Sequence, residues 1–208
     1  MNQKKLFLFD LDGVLIDSKK NMNLSWNELT KKYKCKASFK NYFSSIGLPF
    51  IKILMKLKIH KNLHQSFEKE YNKYSLKNIK YIKLHKGVKK TLSKLRSKNK
   101  IVGILTSKER GRTLRILKKY NIKVDVVLCP YKNLIGKPNP GQINELAKKS
   151  KIPKREIVYI GDMAVDKKTA KNAKVDYIHA KYGYSRKIKS KYSINKINDI
   201  IKRDLGIN

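Results

Sequence analysis

The 208-residue chain has little cysteine, proline, glycine, arginine or acid. Its two cysteines, Cys35 and Cys129, match neither a disulfide framework nor a metal-ligand spacing, which fits a reducing compartment. Five prolines and ten glycines beside 40% hydrophobic residues exclude a low-complexity chain and describe a folded one. No apolar run approaches the roughly 18–20 residues that a membrane span needs. The short apolar stretch after Lys4 and Lys5 is cut by Asp10 and Asp12, and no small-residue cleavage site follows, so it does not read as a signal peptide. A cytoplasmic protein without membrane partners is expected.

The shortage of acid is the most extreme of these features: 15 acidic residues face 51 basic ones, for a formal charge of +36. A polyanion partner is one explanation, and coding bias is the other, since Lys, Ile and Asn are all abundant. Only seven of the 51 basic residues are arginine, the side chain suited to bidentate phosphate and base contacts. The lysines are also dispersed along the chain, and no helix-turn-helix, zinc or aromatic-rich RNA signature accompanies them. Coding bias is the better account. Any binding of nucleic acid should be weak, nonspecific and confined to low salt.

Against that scarcity, "KKLFLFDLDGVLIDS" (4–18) places Asp10, Asp12 and Asp17 within eight positions. Like charges gathered this way need a cation or a proton between them. "KKLFLF" (4–9) reads as a buried strand, so Asp10 and Asp12 stand at its carboxyl end. After about residue 17 the periodicity turns helical, as in "NMNLSWNELTKKY" and "QSFEKEYNKYSLKNI", with breaks at "IGLP" and near His60–Asn62. From about residue 86 helices alternate with apolar strands: 87–98 before "IVGILT" (101–106), then "RGRTLRILKKY", "VDVVLC" (124–129), "PGQINELAKKS", "EIVYIGD" (156–162), "KKTAKNA", "DYIHA" (176–180) and a last helix over 196–205.

This pattern predicts an α/β fold: a three-layer Rossmann-like core with a mostly parallel sheet (1–16 and 86–208) and a small α-helical cap (17–85) inserted after the first strand. In such sheets ligands bind at the carboxyl ends of the strands. Those ends carry Asp10 and Asp12, Thr106 and Ser107, and Asp162 and Asp166, with Lys137 added by the loop "IGKPNP". Four carboxylates, a hydroxyl and a lysine on one edge suit a hard divalent cation, Mg²⁺ above all, together with a phosphate. Asp166 can also serve a helix N-terminus. Asp17 reads as structural, at the first insert helix or a hinge. His60, His64 and His85 have no evident partner.

"DLDGVLIDS", "LTS", "GKPNP" and "GDMAVD" resemble, in order and spacing, the four motifs of the haloacid dehalogenase superfamily. The likeness is greatest to its phosphoglycolate phosphatase and beta-phosphoglucomutase-like branch, and it continues weakly into "KYGYS" (181–185). The resemblance implies that Asp10 is a nucleophile that becomes an aspartyl phosphate. It implies that Asp12 is a general acid and then a base, that Thr106, with the Ser107 backbone, binds the phosphoryl group, and that Lys137 holds Asp10 and the phosphoryl oxygens. Asp162 and Asp166, with Asp10 and the Asp12 carbonyl, are the implied Mg²⁺ ligands.

The sequence departs from the pattern in three places. Met163 follows Asp162 where relatives often have Ser or Thr, and Ala173-Lys174 stands for Ala-Gly. Met22 lies where beta-phosphoglucomutase-like members often carry His, although Trp26 matches them. Gly47-Leu48-Pro49 is a candidate cap tip facing the core.

The expected function is a Mg²⁺-dependent phosphatase of a small phosphorylated metabolite, such as a sugar phosphate, phosphoglycolate or pyrophosphate. A phosphomutase is the nearest alternative, weakened by Met22. A nucleic-acid-binding protein or nucleic-acid-end phosphatase is the alternative from charge alone. Superfamily dehalogenases lack the second aspartate, so Asp12 argues against that chemistry. Phosphonate cleavage would need a Schiff-base lysine in the cap, and none stands out.

Overall fold

The structure is a computed structural model that describes residues 4–130, 136–185 and 187–202. In chain order the elements are β1 (Leu6–Phe9), β2 (Ile16–Asp17), α1 (Lys19–Lys32), α2 (Phe39–Phe43), α3 (Phe50–Lys56), α4 (His64–Lys77), β3 (Lys83–Leu84) and α5 (Val88–Ser97). They continue as β4 (Ile101–Leu105), α6 (Arg110–Tyr120), β5 (Val126–Leu128), α7 (Gly141–Ser150), β6 (Ile157–Gly161), α8 (Ala164–Ala173), β7 (Asp176–Ala180), β8 (Tyr192–Ile194) and α9 (Asp199–Lys202).

β1 sets the layering. Successive side chains of a strand point to opposite faces, and here Leu6 and Leu8 enter one apolar cluster while Phe7 and Phe9 enter another, all fully buried. A strand buried on both faces needs cover on both. Val88, Leu92 and Leu95 of α5, Ile116 of α6 and Ile200 of α9 supply it on the Phe face. Ile143 of α7 and Ala170 and Ala173 of α8 supply it on the Leu face. The sheet runs β5-β4-β1-β6-β7-β8 with every neighbouring pair parallel. The chain builds outward from β1 through β4 to β5, then returns to the other side of β1 through β6 to β8. The carboxyl ends of β4, β1 and β6 are therefore adjacent at a topological switch point.

β8 was not expected. Its three residues, Tyr-Ser-Ile, carry no alternation, and only pairing with β7 (Ile178 opposite Tyr192) makes them a strand. Of the expected closing helix, α9 occupies Asp199–Lys202, and 203–205 lie outside the described residues, as does Ile135 of the lysine loop. Lys174, where relatives have Gly, adopts a left-handed backbone (φ 57°) and ends α8.

Helices α1 to α4 enclose a cluster of their own around Trp26, Leu29, Leu54, Phe67 and Tyr71. Trp26 stacks on Tyr42 with ring centroids 4.4 Å apart. The chain enters and leaves this unit through the antiparallel ribbon β2–β3, where Ile16 faces Leu84 and Asp17 faces Lys83. Two-residue strands have no periodicity to read, so neither was predicted. Among the described residues no helix is long and apolar enough to cross a membrane.

Candidate active site

Asp10 follows β1, Thr106 follows β4 and Asp162 follows β6, so the three adjacent strand ends deliver a carboxylate, a hydroxyl and a second carboxylate to one point. Asp166 adds a third carboxylate from the first turn of α8. One oxygen from each of Asp10, Asp162 and Asp166 lies within 4.8 Å of the others, and all three residues are buried. Gly13 permits this closeness. It sits at φ +85°, and a Cβ there would stand 2.2 Å from an oxygen of Asp162. The glycine of "DLDG" is required by both backbone and space.

Lys137 reaches the cluster from the far side of the sheet edge. Its Nζ lies 3.1 Å from Asp10 Oδ1 and 2.7 Å from Asp166 Oδ1, and it donates to the Tyr159 hydroxyl at 3.2 Å. Burial works against its charge, but the carboxylates of Asp10 and Asp166 outweigh burial and hold its pKa above the ordinary lysine value. Asp10 Oδ1 also accepts from the Leu11 amide (2.8 Å).

The remaining carboxylates differ in how they are held. Asp166 is fully engaged: Oδ1 accepts from Lys137 and Tyr159 (2.9 Å), and Oδ2 accepts the amides of Asp162 (3.2 Å) and Met163 (2.9 Å). It stands one turn into α8 and reaches back, instead of occupying the N-cap itself. Asp162 Oδ2 accepts the Tyr184 amide at 2.7 Å, while its Oδ1 is buried and has no partner.

One lysine against three buried carboxylates leaves negative charge uncompensated. Burial therefore pushes Asp10 up to about 7, with Lys137 opposing and Asp166 and Asp12 reinforcing, and drives Asp162 well above the carboxylate range. An orphaned carboxylate oxygen among hard oxygen donors is the fit a Mg²⁺ ion requires. Asp10, Asp162 and Asp166 would hold it, and Asp166 would also orient Lys137.

A pH dependence follows. A raised folded-state pKa means that the unfolded chain releases its proton first as pH climbs from about 4 towards 7. Between those values these carboxylates progressively destabilise the metal-free protein. A divalent cation binds the deprotonated cluster and removes that penalty. The Tm increment from millimolar Mg²⁺ should therefore be larger near pH 8 than near pH 5, measured by thermal melts with and without metal. The increment is the proper readout because the +36 surface responds to pH as well. An increment independent of pH would contradict a metal held by these carboxylates.

Asp12 lines the same cavity, but other groups hold it. Its Oδ2 lies 3.1 Å from Lys108 Nζ, and its Oδ1 accepts from the Ser18 hydroxyl. Thr106 Oγ1 accepts the Lys108 amide at 3.2 Å. Ser107 turns towards the cap: its hydroxyl donates to the Gly47 carbonyl at 2.6 Å, so Gly47-Leu48-Pro49 does face the core. Gly47 and Leu48 line the cavity together with Met22, Tyr42, Phe50, Ile53 and Tyr71 above, and with Lys108, Arg112 and Lys137 below. About 50 Å³ remains in which the centre of a water molecule can sit, enough for a handful of waters at roughly 10–15 Å³ each. Asp17, as expected, is structural: its Oδ1 accepts the Lys19 amide (3.0 Å) at the start of α1.

Four contributors escape a reading of the sequence. Ser18 and Tyr184 meet only in three dimensions, where the Tyr184 hydroxyl accepts the Ser18 amide at 2.8 Å. Lys108 is one lysine among many, although its place two residues after Thr106 puts it on the same side of the strand end. Arg112 had a usable signal: in a chain that spends lysine almost everywhere, an arginine is a choice.

Comparison with known proteins agrees with this geometry. The family model of haloacid dehalogenase-like hydrolases matches residues 7–180. A Caldanaerobacter subterraneus protein named as a candidate pyrophosphatase is 26% identical over 179 residues, covering 84% of this chain and 80% of its own. The phosphoglycolate phosphatase of Aquifex aeolicus is 25% identical over 95% of each chain. The crystal structure of a candidate phosphoglycolate phosphatase from Lactobacillus plantarum shares the fold at a TM-score of 0.87 and 20% identity, over 96% of this chain and 99% of its own. With three motifs at adjacent strand ends, a fourth in the lysine loop and a family match across most of its length, the chain belongs to the haloacid dehalogenase-like hydrolases and is an enzyme of that class.

Proposed function

We propose that the protein is a Mg²⁺-dependent phosphatase of a small phosphorylated metabolite and works through an aspartyl phosphate on Asp10. The observation that carries this reading is the convergence of Asp10, Asp162 and Asp166 on Lys137 at one strand edge, with Thr106 and Asp12 on the same cavity. Asp10 Oδ1 is fixed by the Leu11 amide and Lys137, which leaves Oδ2 to attack phosphorus. As the Oδ2–P bond forms, the bond from phosphorus to the leaving oxygen breaks and Asp12 gives that oxygen a proton. Water then attacks phosphorus and loses its proton to Asp12. Inorganic phosphate departs and the Asp10 carboxylate returns. Asp10, Asp162 and Asp166 would hold Mg²⁺, which would supply positive charge against the carboxylates and the phosphoryl oxygens. Positioning and charge stabilisation of this kind are most of what phosphoryl transfer needs.

Support for a small substrate comes from the roof. The cap closes over about 50 Å³, and Ser107 bonds to its tip, so a nucleic-acid end is a poor fit. Met22 lines the cavity and offers no proton-transfer group, which favours hydrolysis over a mutase reaction. The names of the relatives point to pyrophosphate or phosphoglycolate within this class.

The test is phosphate release by purified protein from a panel of phosphorylated metabolites and 4-nitrophenyl phosphate, with Mg²⁺ or with a chelator. Turnover of at least one small substrate that is lost on chelation is the expected result. Full activity in the chelator, or none on any phosphate, would refute it.

A further inference from the structure

Arg112 lies in the first turn of α6, on the core, yet its side chain reaches into the cap. Only 6% of it is exposed. Its guanidinium packs over the Tyr71 ring, 5.2 Å from the centroid, and Nη1 donates to the Ser75 hydroxyl at 3.2 Å. Nε is buried and has no partner. Among the described residues no carboxylate lies within ion-pair distance of it. Glu109, three residues earlier, spends its two oxygens on the amides of Gly111 and Arg112.

The other two cations of the cavity are neutralised from within the protein, Lys108 by Asp12 and Lys137 by Asp10 and Asp166. Arg112 lines the same cavity without such an ion pair, since Glu68, a carboxylate that feels its charge, lies beyond ion-pair distance. A buried charge left unpaired is costly unless something else supplies the counter-charge. Its chemistry narrows what that is. A guanidinium presents a rigid fork matched to carboxylate or phosphate, which the ammonium used almost everywhere else in this chain does not.

We propose that Arg112 determines specificity by binding a second anionic group of the substrate, a carboxylate or a phosphate, joined closely to the phosphoryl group that Asp10 attacks. The small cavity sets the short spacing: phosphoryl group and second anion must both fit between Lys137 and the Tyr71 ring. The assignment rests on the phosphatase reading above, but it has its own readout.

The experiment compares phosphoglycolate and pyrophosphate with 2-hydroxyethyl phosphate, which keeps the two-carbon skeleton of phosphoglycolate and lacks its carboxylate. Charge-assisted hydrogen bonds of the usual strength predict that Arg112→Gln lowers kcat/KM for at least one of the two compounds that bear a second anionic group about 10–100-fold more than for 2-hydroxyethyl phosphate. The compound so affected tells carboxylate from phosphate. Arg112→Lys, which keeps charge but not the fork, should restore part of the difference, and it decides the matter if the glutamine variant does not fold. An equal loss on all three compounds would make Arg112 a strut between core and cap and overturn the proposal, as would no loss on either phosphoglycolate or pyrophosphate. If intact protein turns over none of them, the phosphatase reading fails by itself. Thermal shifts in Mg²⁺ then test Arg112 separately. Greater stabilisation by phosphoglycolate or pyrophosphate than by 2-hydroxyethyl phosphate, abolished in Arg112→Gln, upholds its role. Equal stabilisation by all three rejects it.

Discussion

Replacing Asp10 by asparagine is expected to remove all measurable turnover, whereas the same change at Asp12 should leave a slow enzyme that stalls with phosphate on Asp10. The two side chains stand two residues apart, but different partners hold them. Asp10 is tied to Lys137 and the Leu11 amide inside the carboxylate cluster, and Asp12 is tied to Lys108 and Ser18 outside it. An amide at position 10 lacks the negative charge that makes the carboxylate a strong metal ligand and a nucleophile able to form the acyl phosphate, so kcat should fall to background and Mg²⁺ affinity should weaken. An amide at position 12 removes a proton donor and acceptor, together with the counter-charge of Lys108, but leaves the carboxylate cluster intact. General acid–base catalysis contributes about 10²–10⁴-fold, and kcat should fall by that factor while Mg²⁺ affinity holds. A good leaving group needs little protonation, so 4-nitrophenyl phosphate recovers the first step in Asp12→Asn, but water still lacks its base. Mass spectrometry of the quenched variant should then show one added phosphate. Robust activity in Asp10→Asn would rule out covalent catalysis.

Lys137→Met is expected to have the second largest effect, and it acts on both stability and rate. Lys137 is 1% exposed and is the cation nearest the three-carboxylate cluster, touching Asp10 and Asp166 directly. Breaking a buried ion pair by removing one partner typically costs about 3–5 kcal/mol, because the abandoned charge stays buried. Asp10 already titrates near 7, so it can take up a proton and absorb part of that cost. The variant should therefore melt well below the parent without metal, most severely at alkaline pH, and regain much of the difference in millimolar Mg²⁺. Activity should not return with the fold. The lost ammonium also steadies the phosphoryl oxygens, and removal of one preorganised charge of this kind costs about 10²–10³-fold or more. A metal-restored variant with parental kcat would show that Lys137 only balances charge.

The sheet and its catalytic edge could be read from the sequence because both depend on local pattern. Continuous apolar strands, each ending in a polar group, announce a parallel sheet with a site at its carboxyl edge, and Asp10, Thr106, Lys137, Asp162 and Asp166 do come together there. What escaped is what pattern cannot encode. β2, β3 and β8 are two or three residues long and exist through their partners. Asp166 joins the carboxylate cluster as expected, but its bonds to Lys137, Tyr159 and two amides leave no trace in the pattern. Lys108 was hidden by composition, one of many lysines among 51 basic residues, and Arg112 stood out only as one of seven arginines, with no pattern to place it on the cavity.

The ribbon β2–β3 has an evolutionary corollary. Facing residues of an antiparallel ladder stand about 4.5–5.5 Å apart, so the sheet meets the insert as a loop whose two ends are already joined. Closing such a loop depends only weakly on its length, about 0.6 kcal/mol for each doubling. Whatever lies between Asp17 and Lys83 can be lengthened, trimmed or exchanged while the register of the parallel strands stays fixed. A change of length within that span therefore alters the roof over the cavity while the strand ends that carry Asp10, Thr106 and Asp162 keep their places.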